Sequence, residues 1–164
     1  HSEAFDAFRA LPRQRHGAPA TELPARLDYR QPRQAVNLAV LPLFPGIQAA
    51  HVRALLSTGV QALLLECYGS GTGPAADSEL LAALHSAHAN GVVLAAISQC
   101  PSGHVEFGVY AAGSQFASCG LISGGGMTRE AALGKLFALL AAGMRQSEVE
   151  HWLALDLCGE LLEG

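Results

Sequence analysis

The sequence predicts an α/β domain, a small four-stranded parallel sheet with helices on both faces that makes a three-layer α/β/α sandwich. Three observations lead there. Half of the 164 residues are apolar (50%) while aromatics make up only 6%, a composition that suits Ala- and Leu-rich helices on a buried sheet better than an aromatic-rich β-sandwich. Four short runs are continuously apolar, as expected of strands covered on both faces. Gly-, Pro- or Ser-rich turns and segments of helical spacing separate these runs, and right-handed crossovers turn such an alternation into a parallel sheet.

Residues 1–34 carry four of the eight prolines and no sustained period; they read as a linker, with one short helix near Ser2–Leu11. The folded domain is expected over 35–164. Its first strand is Val36–Leu43, and Pro45-Gly46 turns the chain into a helix over Ile47–Leu56. The second strand, Ala62–Tyr68, leads to a helix over Ser78–Ala89, with Asp77 as N-cap and Asn90-Gly91 as the stop signal. Val92–Ser98 forms the third strand, Tyr110–Ser118 a helix, and Cys119–Ser123 the fourth strand. Thr128 then caps a helix over Arg129–Ala142, whose Leu133, Leu136, Phe137 and Leu140 make one apolar stripe. Ser147 and Glu150 form a capping box for a last helix through Leu157.

Bulk properties exclude several classes. The formal charge is −4 and most of the basic residues fall in the first 33 positions, so nucleic acid is not an expected partner. No run reaches the roughly 18 apolar residues of a membrane span. Cys67, Cys100, Cys119 and Cys158 are widely spaced without a C-x-x-C pair, which points to reduced thiols and a cytoplasmic location.

In an open parallel sheet, ligands meet the loops at the carboxyl ends of the strands. Here those are Phe44-Pro45-Gly46, Gly69–Ala76, Gln99–Gly108 and Ser123–Thr128. In the second of them Gly69, Gly71 and Gly73 allow a sharp turn with Thr72 at its tip, but the pattern is neither G-x-G-x-x-G nor a Walker loop with its lysine. No G-x-S-x-G elbow exists. Cys100, with His104 and Glu106 close in sequence, is a candidate thiol nucleophile, set against a structural or ligand-contact role for a half-buried Cys, and Ser102 beside Gly103-His104 lacks an identifiable acid to orient the imidazole. His85 and His88 lie three apart on one helix without further zinc ligands at suitable spacing; they read as solvated, as do Glu148 and Glu150, and His51 and His151 read as surface or packing residues. The residues thus describe a ligand-facing rim without complete catalytic machinery, metal site or cofactor site.

Four segments carry a specific resemblance: VLPLFPGI, LLLECYGSGTGPA, ISQCPSGHVEFGVYAAG and GLISGGGMTREAALGKLFALL. In this order and spacing they resemble the C-terminal domain of bacterial type I, cytoplasmic-type L-asparaginases. SEAFDAF is similar to the segment that enters the interdomain linker of such enzymes, so residues 1–34 are expected to be a linker remnant. The resemblance implies that the catalytic Thr, Asp and Lys residues belong to an N-terminal domain that this sequence does not contain, and that the chain alone is inactive. An amide needs both an activated hydroxyl and a stabilised oxyanion before ammonia leaves.

The resemblance further implies that this domain completes the site of a neighbouring subunit in a homodimer or homotetramer acting on L-asparagine. Thr72 stands where the family's G-x-G-Asn turn carries an Asn, with Gly71 beside it, and Tyr110 matches a tyrosine close to the substrate. Glu66, Ser98 and Cys100 match positions of an allosteric asparagine site in some members. Glu66 replaces an arginine there and reverses the charge that would pair with a carboxylate, so that allosteric site is not expected here. Two competing readings are an asparaginase-like amidotransferase subunit for glutamine-dependent tRNA amidation, and a non-catalytic small-molecule-binding module.

Overall fold

The computed structural model describes residues 24–28, 33–69, 73, 78–100, 104–106, 111–157 and 159–161. Four strands, β1 (Leu38–Pro42), β2 (Ala62–Cys67), β3 (Val93–Ser98) and β4 (Leu121–Ser123), form one parallel sheet in the order β1-β2-β3-β4. Five helices accompany them: α1 (Ala49–Leu56), α2 (Ser78–Ala89), α3 (Ala111–Ser118), α4 (Arg129–Ala141) and α5 (Gln146–Leu153). A strand order that advances in one direction, built from crossovers of one hand, places every connecting helix on the same face. The helices that follow β4 are left to cover the other.

The packing follows this rule. On one face Leu63, Leu65 and Cys67 of β2 and Leu94 and Ala96 of β3 pack with Val52 of α1, Leu80 and Leu84 of α2 and Phe116 of α3. On the opposite face Ala62 and Leu64 of β2 and Val93, Ala95 and Ile97 of β3 pack with Leu136 and Leu139 of α4 and Val149 and Leu153 of α5. The alternation of side chains along a strand splits these sets, and burial of both explains why the runs are apolar nearly throughout. The expected three-layer α/β/α architecture is the one observed.

Local signals explain most boundaries. Thr128 Oγ1 accepts the Ala131 N–H at 3.2 Å and caps α4. Gly91, at φ +90°, ends α2, with its N–H on the His88 carbonyl at 2.9 Å. Asp77, the expected cap of α2, lies outside the described residues, as does the expected helix near Ser2–Leu11. His51 is a capping residue: the Gln48 N–H donates to its Nδ1 at 3.0 Å.

Three expectations are corrected. The last helix starts at Gln146 and ends at Leu153, because the Glu148 carboxylate receives the Arg145 N–H at 3.0 Å and caps the helix two residues earlier than Ser147 and Glu150 would. Glu150 instead holds His88, Oε1 to Nε2 at 2.8 Å, so these two are partly buried partners rather than solvated groups. On α4 the buried face is Ala132, Lys135, Leu136, Leu139 and Leu140, while Phe137 is 55% exposed. The helix is apolar around most of its circumference, so its period does not set its phase.

The described residues ahead of β1 are also docked. A 3₁₀ turn at Ala25–Leu27 places Leu27 against the α4/α5 layer, Arg26 pairs with Glu148 at 3.0 Å, and the Gln34 N–H donates to the Ala141 carbonyl at 2.8 Å. No helix among the described residues is long and apolar enough to cross a membrane.

Candidate functional site: a cleft at the carboxyl ends of the strands

Parity and register together build the site. Glu66 lies two residues beyond Leu64 and four beyond Ala62, so its side chain leaves β2 on the face covered by α4. The register sets Pro42 of β1 and Ile97 of β3 on either side of it. These three residues, with Ser98 at the end of β3, Gln99 and Cys100 after it, and Met127 to Glu130 at the start of α4, line a cleft of about 520 Å³, within the size range of small-molecule sites.

The charge in this cleft is internally paired. Arg129 donates from Nε to Glu66 Oε1 and from Nη2 to Oε2 at 2.8 Å, a two-point fork onto the carboxylate. The hydrogen bonds to Glu66, and then its charge, raise the Arg129 guanidinium above its usual value. The Glu66 side chain is 5% exposed and that of Arg129 55%, so the carboxylate is the buried partner and the guanidinium closes over it from solvent. An arginine in the first turn of a helix opposes the dipole; the buried acid offsets that cost.

Residues around the cleft stitch the strand ends together. Gln99 Nε2 donates to the carbonyls of Leu43 and Glu66 at 2.6 and 2.7 Å, tying β1 to β2. Ser98 Oγ donates to the Gly69 carbonyl at 2.6 Å and accepts the Cys100 N–H at 3.1 Å. Ser123 Oγ donates to the Val105 carbonyl at 2.5 Å and accepts the Gly125 N–H at 3.0 Å. The structure therefore brings Glu66, Ser98 and Cys100 together, with the Ser98 hydroxyl already engaged. Gly71, Thr72 and Tyr110 lie outside the described residues, as does Ser102. Sequence reasoning missed Arg129; parity of Glu66 and the position of Thr128 at the start of a helix on the same face were the signals available for it.

The thiols differ sharply in their surroundings. Cys100 is free and exposed. Burial pushes the Cys67 thiol up to about 12, and burial also raises Cys119, whose Sγ donates to the Leu81 carbonyl at 3.4 Å. Because the thiolate is the nucleophile, Cys67 is chemically silent in the folded chain. Its raised value has a sign: the stabilisation is complete below pH 9 and lost as the pH climbs toward 12, since the unfolded thiol ionises first. The three-unit rise corresponds to about 4 kcal/mol. Urea unfolding at pH 8 and pH 11 is therefore expected to show a smaller alkaline loss in Cys67→Ala than in the wild type, and equal losses would contradict this. Among the described residues no cluster of three or more His, Cys, Asp or Glu is placed to hold a metal.

Comparison with known proteins agrees with this architecture. The family model described as "Glutaminase/Asparaginase C-terminal domain" matches residues 37–153. L-asparaginase 1 of Escherichia coli (strain K12) is 34% identical over 172 residues, covering 98% of this chain and 50% of that protein. The human protein named 60 kDa lysophospholipase is 40% identical over 126 residues, covering 76% of this chain and 22% of that one. The crystal structure of L-asparaginase I from Vibrio cholerae superposes with a TM-score of 0.75 at 37% identity, covering 80% of this chain and 40% of that structure. The chain thus spans about half the length of the E. coli relative or less than that of the others. A match over most of the folded region, together with the parallel sheet and its helices, makes the chain a member of the glutaminase/asparaginase C-terminal domain family.

Proposed function

We propose that this chain is the C-terminal half of an L-asparaginase, a cytoplasmic amidohydrolase that converts L-asparagine to L-aspartate and ammonia, and that it supplies binding and assembly rather than the nucleophile. The observation that carries this reading is the match along 98% of this chain to only half of the E. coli enzyme. The chemistry of the described rim supports the division of labour. Its charged pair is closed on itself, and its Ser98 and Ser123 hydroxyls serve as backbone ties rather than as nucleophiles held by a base.

In this reading Thr72 and Tyr110, with Gly71 giving the backbone close approach, reach the substrate of a neighbouring subunit. A threonine hydroxyl both donates and accepts, so it can receive a hydrogen bond from the substrate's ammonium while donating to a carboxylate. The assembly is a homodimer or homotetramer in which each C-terminal domain contacts its own N-terminal domain. Neither nucleic acid nor a membrane surface is a partner. The cleft over Glu66, Ser98 and Cys100 is not a regulatory asparagine site in this reading: Arg129 is spent on Glu66, which leaves no unpaired cation among the described residues that line it for an α-carboxylate.

The test is ammonia release from L-asparagine by the whole protein. Turnover is the expected result, with no response of the rate to Glu66→Gln beyond a loss of stability. Absence of turnover with a folded protein would overturn the reading. Sigmoidal dependence on asparagine that Glu66→Gln abolishes would overturn the assignment of the cleft.

A further inference from the structure

Lys135 has no part in the site described above, yet its ammonium is inside the protein with 5% of the side chain exposed. All three of its donors are engaged. Nζ donates to the Leu153 carbonyl at 3.0 Å, to the Leu155 carbonyl, and to Glu160 Oε1. Two of these acceptors lie at the end of α5, where the helix dipole favours a cation. The third belongs to a tail that has turned back toward the sheet.

The turn is tightly specified. Asp156 Oδ1 receives the N–H groups of Gly159 and Glu160 at 2.7 and 3.1 Å, and Gly159 sits at φ +85°. The Glu160 carboxylate, besides pairing with Lys135, receives the Leu157 N–H at 3.0 and 3.2 Å, and the Leu157 side chain is buried. Beyond the turn, Leu161 lands on the rim. A Cβ on Gly125 would lie 3.2 Å from Leu161 Cδ2 and 3.4 Å from His104 Cε1, so the tail, the turn after β4 and His104 converge on one point.

That point backs the cleft. A Cβ on the neighbouring Gly124 would meet Ile97 Cγ2 at 2.8 Å and Met127 Cε at 3.3 Å, and both of those side chains line the cleft wall. The Val105 N–H donates to the Gly125 carbonyl at 3.1 Å, which ties the segment after β3 to the same turn.

We propose that the C-terminal tail is a latch, locked by the buried Lys135–Glu160 pair, whose Leu161 clamps the turn after β4 and the His104–Glu106 segment and so fixes one wall of the cleft. Lys135, Glu160 and Leu161 are positioning residues. The lock sets the tail against the end of α5, and the tail transmits that constraint to the rim through Leu161. Nothing in this inference depends on which substrate the whole protein takes.

Amide hydrogen exchange on this chain separates the lock from the clamp. In Glu160→Gln, the amides of Leu157, Glu160 and Val105 are expected to exchange about tenfold faster, while Leu64 and Ala95 in the sheet keep their protection. In Leu161→Ala, which leaves the ion pair in place, Val105 is expected to accelerate while Leu157 stays protected. Unchanged exchange at Val105 in Leu161→Ala overturns the clamp, and this holds even if Glu160→Gln fails to fold. Unchanged exchange at Leu157 in a folded Glu160→Gln overturns the lock.

Discussion

Replacing Lys135 by methionine is expected to destabilise the chain by about 3–5 kcal/mol, the usual cost of removing one partner of a buried ion pair. The substitution keeps most of the volume but strips the Glu160 carboxylate, 9% exposed, of its counter-charge and frees the carbonyls of Leu153 and Leu155. For a chain of this size such a loss lowers the melting temperature by roughly 10 °C. The double variant Lys135→Met/Glu160→Gln is expected to recover part of it, since no charge is then stranded. Equal melting temperatures for the wild type and Lys135→Met would mean that the ammonium makes no net contribution.

A larger change in function is expected at Thr72. If its hydroxyl accepts a hydrogen bond from the substrate's ammonium, Thr72→Val in the whole protein removes a bond to a charged group worth about 1.5–3 kcal/mol. That corresponds to a fall in kcat/KM of roughly 10- to 100-fold. The loss should appear mainly in KM, because the ammonium is charged in both ground state and transition state. Tyr110→Phe is expected to act in the same direction with a smaller effect. A Thr72→Val enzyme with unchanged kcat/KM would remove Thr72 from the site.

The fold was legible because both faces of the sheet are buried: four continuously apolar runs separated by helical spacing admit few arrangements other than a parallel sheet with helices on each side. Legibility ended where a pattern had more than one physical solution. Glu148 and Glu150 both stand near the start of a helix, and the choice between two capping boxes fell to the backbone of Arg145. On α4 the apolar residues surround the helix, and Lys135 faces inward because its ammonium reaches carbonyls that exist only once α5 is packed beside it. Glu66, Ser98 and Cys100, which the resemblance singled out only as equivalents of allosteric positions, line one cleft. Arg129 was not, because its pairing with Glu66 spans 63 positions and follows from which face of β2 the carboxylate leaves.

The measurement that tests the central claim most directly is ammonia release from L-asparagine by this chain alone, set beside the whole protein at equal active-site concentration. Silence from the chain with turnover by the whole protein is the predicted result, since the nucleophile is then contributed from outside these residues. Turnover by the chain alone that disappears in Cys100→Ala would place the nucleophile on this rim and contradict the account.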